Sequence, residues 1–159
     1  MRKTVLIVVA IVAVGFVAIQ LVPYGRDHTN PPVTGSPQWD SPKTEQLARA
    51  ACFDCHSNET TWPWYANVAP VSWLLQRHVD EGREKLNFSE WGSGRQETEH
   101  MVSQVHEGEM PTWDYMLMHP EARLSDADTQ ALITGLTNTF GAGEGGGSGE
   151  SGESGESDD

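Results

Sequence analysis

The two cysteines of this chain stand in the run Cys52-Phe53-Asp54-Cys55-His56. On a helix, positions i, i+3 and i+4 share one face. Two thiols so placed can add across the two vinyl groups of one haem as thioethers, and His56 then comes beneath the iron as its proximal ligand. C-x-x-C-H is the signature of that c-type attachment. The covalent link holds a cofactor in a domain too small to enclose it well. Three other chemistries use similar residues. A thioredoxin-like pair needs a βαβ context, and the sequence has none. A structural zinc site needs four ligands, without a second C-x-x-C or an H-x₃-H to supply them here. A plain disulfide leaves His56 without a role.

The second axial position separates an electron carrier from a haem that binds or activates small molecules. Met110 precedes Pro111 in a loop ahead of the last helix. Its thioether is a soft, neutral donor that favours ferrous iron and raises the potential. His78 is the rival, because it falls on the apolar stripe of a helix and would complete a lower-potential bis-His site. His100 and His106 look solvent-facing, His119 precedes Pro120 as a turn cap or propionate partner, Met116 and Met118 are weaker versions of Met110, and His28 lies far upstream. A Trp N–H or one of Arg77, Arg83, Arg95 and Arg123 is expected at the propionates. Most of the large aromatics are expected in ordinary core.

These residues need elements to hold them. With 159 residues the chain has room for one modest core. Ser41-Pro42 reads as an N-cap with proline at the first helical position, opening a helix over Lys43–Cys55. Val71, Leu74, Leu75, His78 and Val79 give helical spacing over residues 70–81, with Gly82 weakening that helix. A third helix is expected from Arg95 to about Glu107, with Met101, Val102 and Val105 inward. The last starts at Ser125, where Asp128 completes a capping box, presents Leu132, Ile133, Leu136 and Phe140, and stops at Gly141. No alternating run suggests a sheet. The expected class is all-α, a small c-type cytochrome-like helical haem domain behind a single N-terminal transmembrane helix.

Both ends differ from this middle. Residues 4–22 carry no charge, and as a helix they span about 28 Å, close to the thickness of a bilayer core. Arg2 and Lys3 precede them, which places the rest of the chain on the extracytoplasmic, periplasmic side. The run is longer than a signal peptide's apolar region and ends in Ile19-Gln20-Leu21-Val22-Pro23, a poor cleavage site, so an uncleaved anchor over 1–22 is expected. Residues 23–40 hold Pro23, Pro31, Pro32 and Pro37 and read as an extended tether, with the haem domain at 41–140. Residues 141–159 are a Gly/Ser/Glu tail with six acids and no base, expected to stay disordered.

Against 23 Asp and Glu the chain has 10 Lys and Arg, a formal charge of −13. That balance argues against nucleic acid. It suits a redox partner with a basic docking surface, or simply solubility.

Beyond the haem motif, the chain resembles the haem-binding domain (Haem_bd) family over about residues 15–138. The strings that carry the resemblance are Pro23-Tyr24-Gly25-Arg26 after Ile19-Gln20, Asn30-Pro31-Pro32, Cys55-His56-Ser57-Asn58-Glu59-Thr60, Trp62-Pro63-Trp64-Tyr65 and Ala69-Pro70-Val71-Ser72-Trp73-Leu74. His78-Val79 with Gly82-Arg83, Leu86-Asn87-Phe88-Ser89-Glu90-Trp91, Met110-Pro111 and His119-Pro120 with Ala122 and Leu124-Ser125 continue it. The resemblance implies an exported or membrane-anchored c-type haem domain and carries haem binding onto Cys52, Cys55 and His56. The expectation is therefore one covalent haem c in an electron carrier and not an enzyme. The alternatives are a haem enzyme or gas sensor of peroxidase-like kind, with His100 or His106 as acid–base groups, and a haem domain that mainly assembles a larger complex.

Overall fold

The computed structural model describes residues 1–92, 97–98 and 100–141. Among them the regular elements are helices: α1 (Arg2–Ile19), α2 (Pro42–Ala51), α3 (Phe53–His56), α4 (Val71–Lys85), α5 (Met101–His106), α6 (Trp113–Met118) and α7 (Asp126–Phe140), with 3-10 turns at Trp64–Asn67 and Pro120–Ala122. No strand occurs among the described residues, and the class is all-α as expected. The expected tail falls on residues 142–159, outside the described residues.

The caps form where the sequence places them. Ser41 Oγ accepts from Thr44 N at 3.2 Å, and Ser125 Oγ accepts from Asp128 N at 3.1 Å. Each satisfies a backbone donor that the first helical turn leaves free. Gly141, at φ +85°, then ends α7 in a conformation that costs glycine little.

Four expectations need correction. The first helix does not run unbroken to Cys55: α2 ends at Ala51, Cys52 takes φ −126° and ψ −33°, and α3 restarts at Phe53. Gly82 does not end α4, which passes through it to Lys85. There the glycine serves packing, since a Cβ on it would sit 2.9 Å from the Cys55 carbonyl carbon and 3.2 Å from Cys55 Cβ. The third helix is described from Met101, with Arg95 outside the described residues, and α6 lies between Met110 and the last helix where a plain loop was expected.

The core gathers Leu47, Ala48, Phe53, Leu86, Phe88, Val105, Leu132 and Leu136. An aromatic cluster extends it: Trp39 lies 5.2 Å from Phe88 and 5.6 Å from Phe140, ring centre to ring centre. Trp39 belongs to the proline-rich segment, which is extended but does not hang free. Thr34 N donates to Ser89 O at 2.8 Å, Asn30 Nδ2 to Thr60 O at 2.9 Å, and His28 stacks on Trp62 at 4.5 Å. Prolines remove only their own donors. The amides of Thr34, Gly35 and Asp40 find acceptors on the domain, and an indole of this size is driven inward.

Helix α1 is 18 residues long, none of it buried, with a mean hydropathy of 2.3. It rises about 27 Å and could span a membrane.

Candidate haem site

Cys52 and Cys55 are free thiols, both half-buried. Burial pushes each up to about 12, so both stay protonated near neutral pH, with the neighbouring cysteine or acid adding to the effect. The kink at Cys52 does not scatter the motif, because Cys55 N and His56 N both donate to Cys52 O, at 3.2 and 2.9 Å.

His56 is held more tightly than the motif alone requires. Its Nδ1 is 3.1 Å from Gly82 O and 3.1 Å from Leu86 O. Both partners are acceptors, so Nδ1 carries the hydrogen and the lone pair belongs to Nε2. Burial lowers the ring's pKa below the ordinary histidine value, which favours the neutral form with that lone pair available. Phe88 N donates to His56 O at 2.8 Å. Beyond it a buried amide network ties the chain after His56 to residues 87–90: Asn58 N donates to Ser89 Oγ at 3.0 Å, and Asn87 Nδ2 to Asn58 Oδ1 at 2.9 Å.

A cleft opens beside this motif as three adjoining chambers. The central one, about 710 Å³, brings together Cys52, Cys55, His56, His78 and Met110, so every ligand candidate favoured by the sequence lines it. A second, about 900 Å³, extends past Cys52 and His56 between Leu86, Phe88, Met101, Val105 and Met110. The third, about 630 Å³, runs past Cys55 along the stripe Val71, Leu74, Leu75, His78 and Val79. That stripe is apolar because it faces the cleft, and Val71 and Leu74 are exposed in consequence.

Met110 sits on a segment fixed at both ends. Glu109 N and Met110 N both donate to Gln104 O, at 2.9 and 3.1 Å. Downstream, Tyr115 of α6 donates its hydroxyl to Asp54 Oδ2 at 2.8 Å, inside the cysteine motif itself. Burial, with Asp54 beside it, raises the pKa of that phenol, so it remains a donor. His119, at the C-cap of α6, stacks on Tyr115 at 4.0 Å and its Nδ1 meets Tyr115 O at 3.0 Å. His78 Nδ1 lies 3.8 Å from Asp114 Oδ2. His100 is exposed on the rim of the second chamber, and His106 is exposed outside the cleft.

The arginines expected at the propionates are mostly engaged elsewhere. Arg83 donates to Ser57 O, Asn30 Oδ1 and Thr60 Oγ1; Arg123 donates to the carbonyls of Met116 and Leu117; Arg77 pairs with Glu81 at 2.7 Å. Arg95 lies outside the described residues. Among the described residues the cation on the cleft wall is Lys85, which lines two of the chambers and was missed in the sequence. Its signal was present: Lys85 follows His78 by seven residues, on one face of a helix carried through Gly82. Trp62 Nε1 is buried on the wall of the third chamber without an acceptor, a donor suited to a carboxylate.

These residues fit a haem. The donor set is a neutral imidazole with one nitrogen tied back and two unpaired thiols, opening on an apolar cleft with a cation at its edge. A model of the haem-binding domain family matches residues 14–138. No curated protein and no solved structure matches the chain. With the match covering most of its length and the cleft built around the histidine, the chain belongs to the haem-binding domain family and is a haem-binding protein.

Proposed function

We propose that the protein is a membrane-anchored electron-transfer cytochrome with one covalent haem c on the extracytoplasmic side. The observation that supports this most is the state of the C-x-x-C-H run. Both thiols are free, and His56 has Nδ1 committed to the carbonyls of Gly82 and Leu86, which leaves Nε2 to ligate. Hydrogen bonds of this kind fix the tautomer and orientation of a ligating imidazole and raise its basicity. Bound haem supplies a one-electron couple whose potential follows its axial ligands and surroundings. Met110 is the distal ligand in this reading, favoured by a loop fastened at Gln104 and at Asp54. Lys85 pairs with a propionate.

A second ligand reading has its own observation. Asp114 Oδ2, 3.8 Å from Nδ1 of His78, would orient that imidazole with Nε2 outward once the pair closed to hydrogen-bonding distance, as carboxylates do for ligating histidines. A bis-His site would follow, at lower potential.

The test is the oxidised and reduced absorption spectrum of the full chain, produced in a host with cytochrome-maturation machinery. A low-spin spectrum with a methionine charge-transfer band supports the carrier with Met110. A low-spin spectrum without that band supports His78. A high-spin haem that binds carbon monoxide readily would turn the reading toward the enzyme or sensor, and colourless protein would end it.

A further inference from the structure

We infer that the haem domain is seated on the outer surface of the bilayer in one fixed orientation, through an apolar patch at the start of α4 that Gln20 clamps to the end of α1. The inference rests on the reading of α1 as a membrane span.

The clamp is specific. Gln20, one residue past the end of α1, donates from Nε2 to Ala69 O at 2.9 Å and accepts from Ala69 N at Oε1 at 3.0 Å. One side chain thus satisfies both backbone groups of a fully buried residue that leads into α4. Arg26 holds the same Oε1 at 3.2 Å. Gly25, at φ +75°, passes so close to the Ser72 carbonyl that a side chain has no room there. Tyr24 reaches Asp80 of α4 at 3.4 Å. Successive residues after the helix are therefore stitched to α4, and the domain has no free linker on which to swing.

The surface beside the clamp suits lipid. Val22, Tyr24, Trp73, Leu74 and Arg77 line a shallow depression continuous with the end of α1, with Val22 and Tyr24 more than two-fifths exposed and Leu74 shared with the cleft. Val22 lies three residues beyond Ile19, a reach of at most about 11 Å, so it stays near the boundary of acyl chains and headgroups. Aromatic rings are enriched at that depth, and Arg77, its guanidinium paired with Glu81 at 2.7 Å, can lay its stem on the apolar surface there. A redox partner must then come to the cleft, since the domain cannot carry the cleft outward.

The experiment uses the haem-loaded full chain, one copy per nanodisc, in phosphatidylcholine carrying a photoactivated carbene group. Cross-links are expected in α1 and also in residues 71–77. Cross-links confined to α1 overturn the seating, whereas their absence from α1 overturns the anchor itself. With both native thiols consumed by haem, an introduced cysteine is the sole free thiol. Arg77→Cys should react several-fold more slowly with a sulfonated maleimide than Gln130→Cys on exposed α7; equal rates overturn the seating. Slow reaction at Arg77→Cys without lipid cross-links at 71–77 assigns the patch to protein and also overturns it. Adding Gln20→Ala should restore reaction at Arg77→Cys and remove the cross-links at 71–77 while keeping those in α1; an unchanged pattern overturns the clamp.

Discussion

The carbonyl oxygen of Gly82 accepts from Nδ1 of His56 at 3.1 Å, and the same glycine lets Cys55 pack directly onto α4. One residue thus sets the depth of the thiol and, with Leu86 O, the orientation of the imidazole. Gly82→Ala keeps the helix but drives a Cβ against the Cys55 backbone, which has no flexible end to give way. We expect a loss of about 1–3 kcal/mol of stability, the usual cost of overpacking. It should appear as a lower midpoint of unfolding together with reduced haem incorporation. A variant as stable and as fully loaded as the parent would show that α3 does not press on α4.

Attachment is tested at the thiols. Cys52→Ala and Cys55→Ala should each shift the reduced pyridine haemochrome band toward that of a haem with one intact vinyl group. The double variant should release its haem into acidified organic solvent. Haem that resists extraction from the double variant would remove the cysteines from the linkage.

For the distal ligand, Met110→Ala should abolish the methionine band and lower the potential, because a thioether favours ferrous iron. If the spectrum is unchanged, His78→Ala should be the variant that turns the haem high-spin. The two variants separate the two readings without reference to activity.

Tyr115 tests how that ligand is held. Its hydroxyl latches α6 to Asp54, and removing a hydrogen bond to a charged group costs about 1.5–3 kcal/mol. Tyr115→Phe should leave haem attachment intact while the methionine band is lost at a lower temperature or pH than in the parent. A band as persistent as the parent's would release Tyr115 from any part in positioning Met110.

Acid should weaken the joint between α2 and α7. Lys43 lies 2.7 Å from Asp128, and its hydrogen bond, with that of Ser125, holds the Asp128 carboxyl below the usual carboxylate range. A carboxyl with a lower pKa folded than unfolded adds stability above its unfolded value, near 3.9, and loses it as pH falls through the folded value. Asp128→Asn should therefore lower the urea midpoint at pH 7, with the gap to the parent closing below about pH 4. A gap that does not narrow as pH falls below about 4 would place its origin elsewhere.

The caps at Ser41 and Ser125, the apolar N-terminal helix, the stripe from Val71 to Val79 and the Cys52–His56 run were all legible in the sequence. Each follows from local rules: a side-chain acceptor three residues before a free amide, a periodicity, a fixed spacing of donors. What the sequence left open involves partners distant along the chain. Gly82 reads as a helix weakener until Cys55 is seen against it, and Lys85 is one more surface lysine until α4 is known to continue. Trp39 and Gln20 look like parts of a tether and an anchor, yet one enters the aromatic core and the other clasps Ala69. Residue type and local spacing decide which chemistry a segment can offer. Tertiary packing decides which backbone carbonyl meets His56 and which surface lies beside the end of α1, because those contacts join residues 26 and about 50 positions apart in sequence.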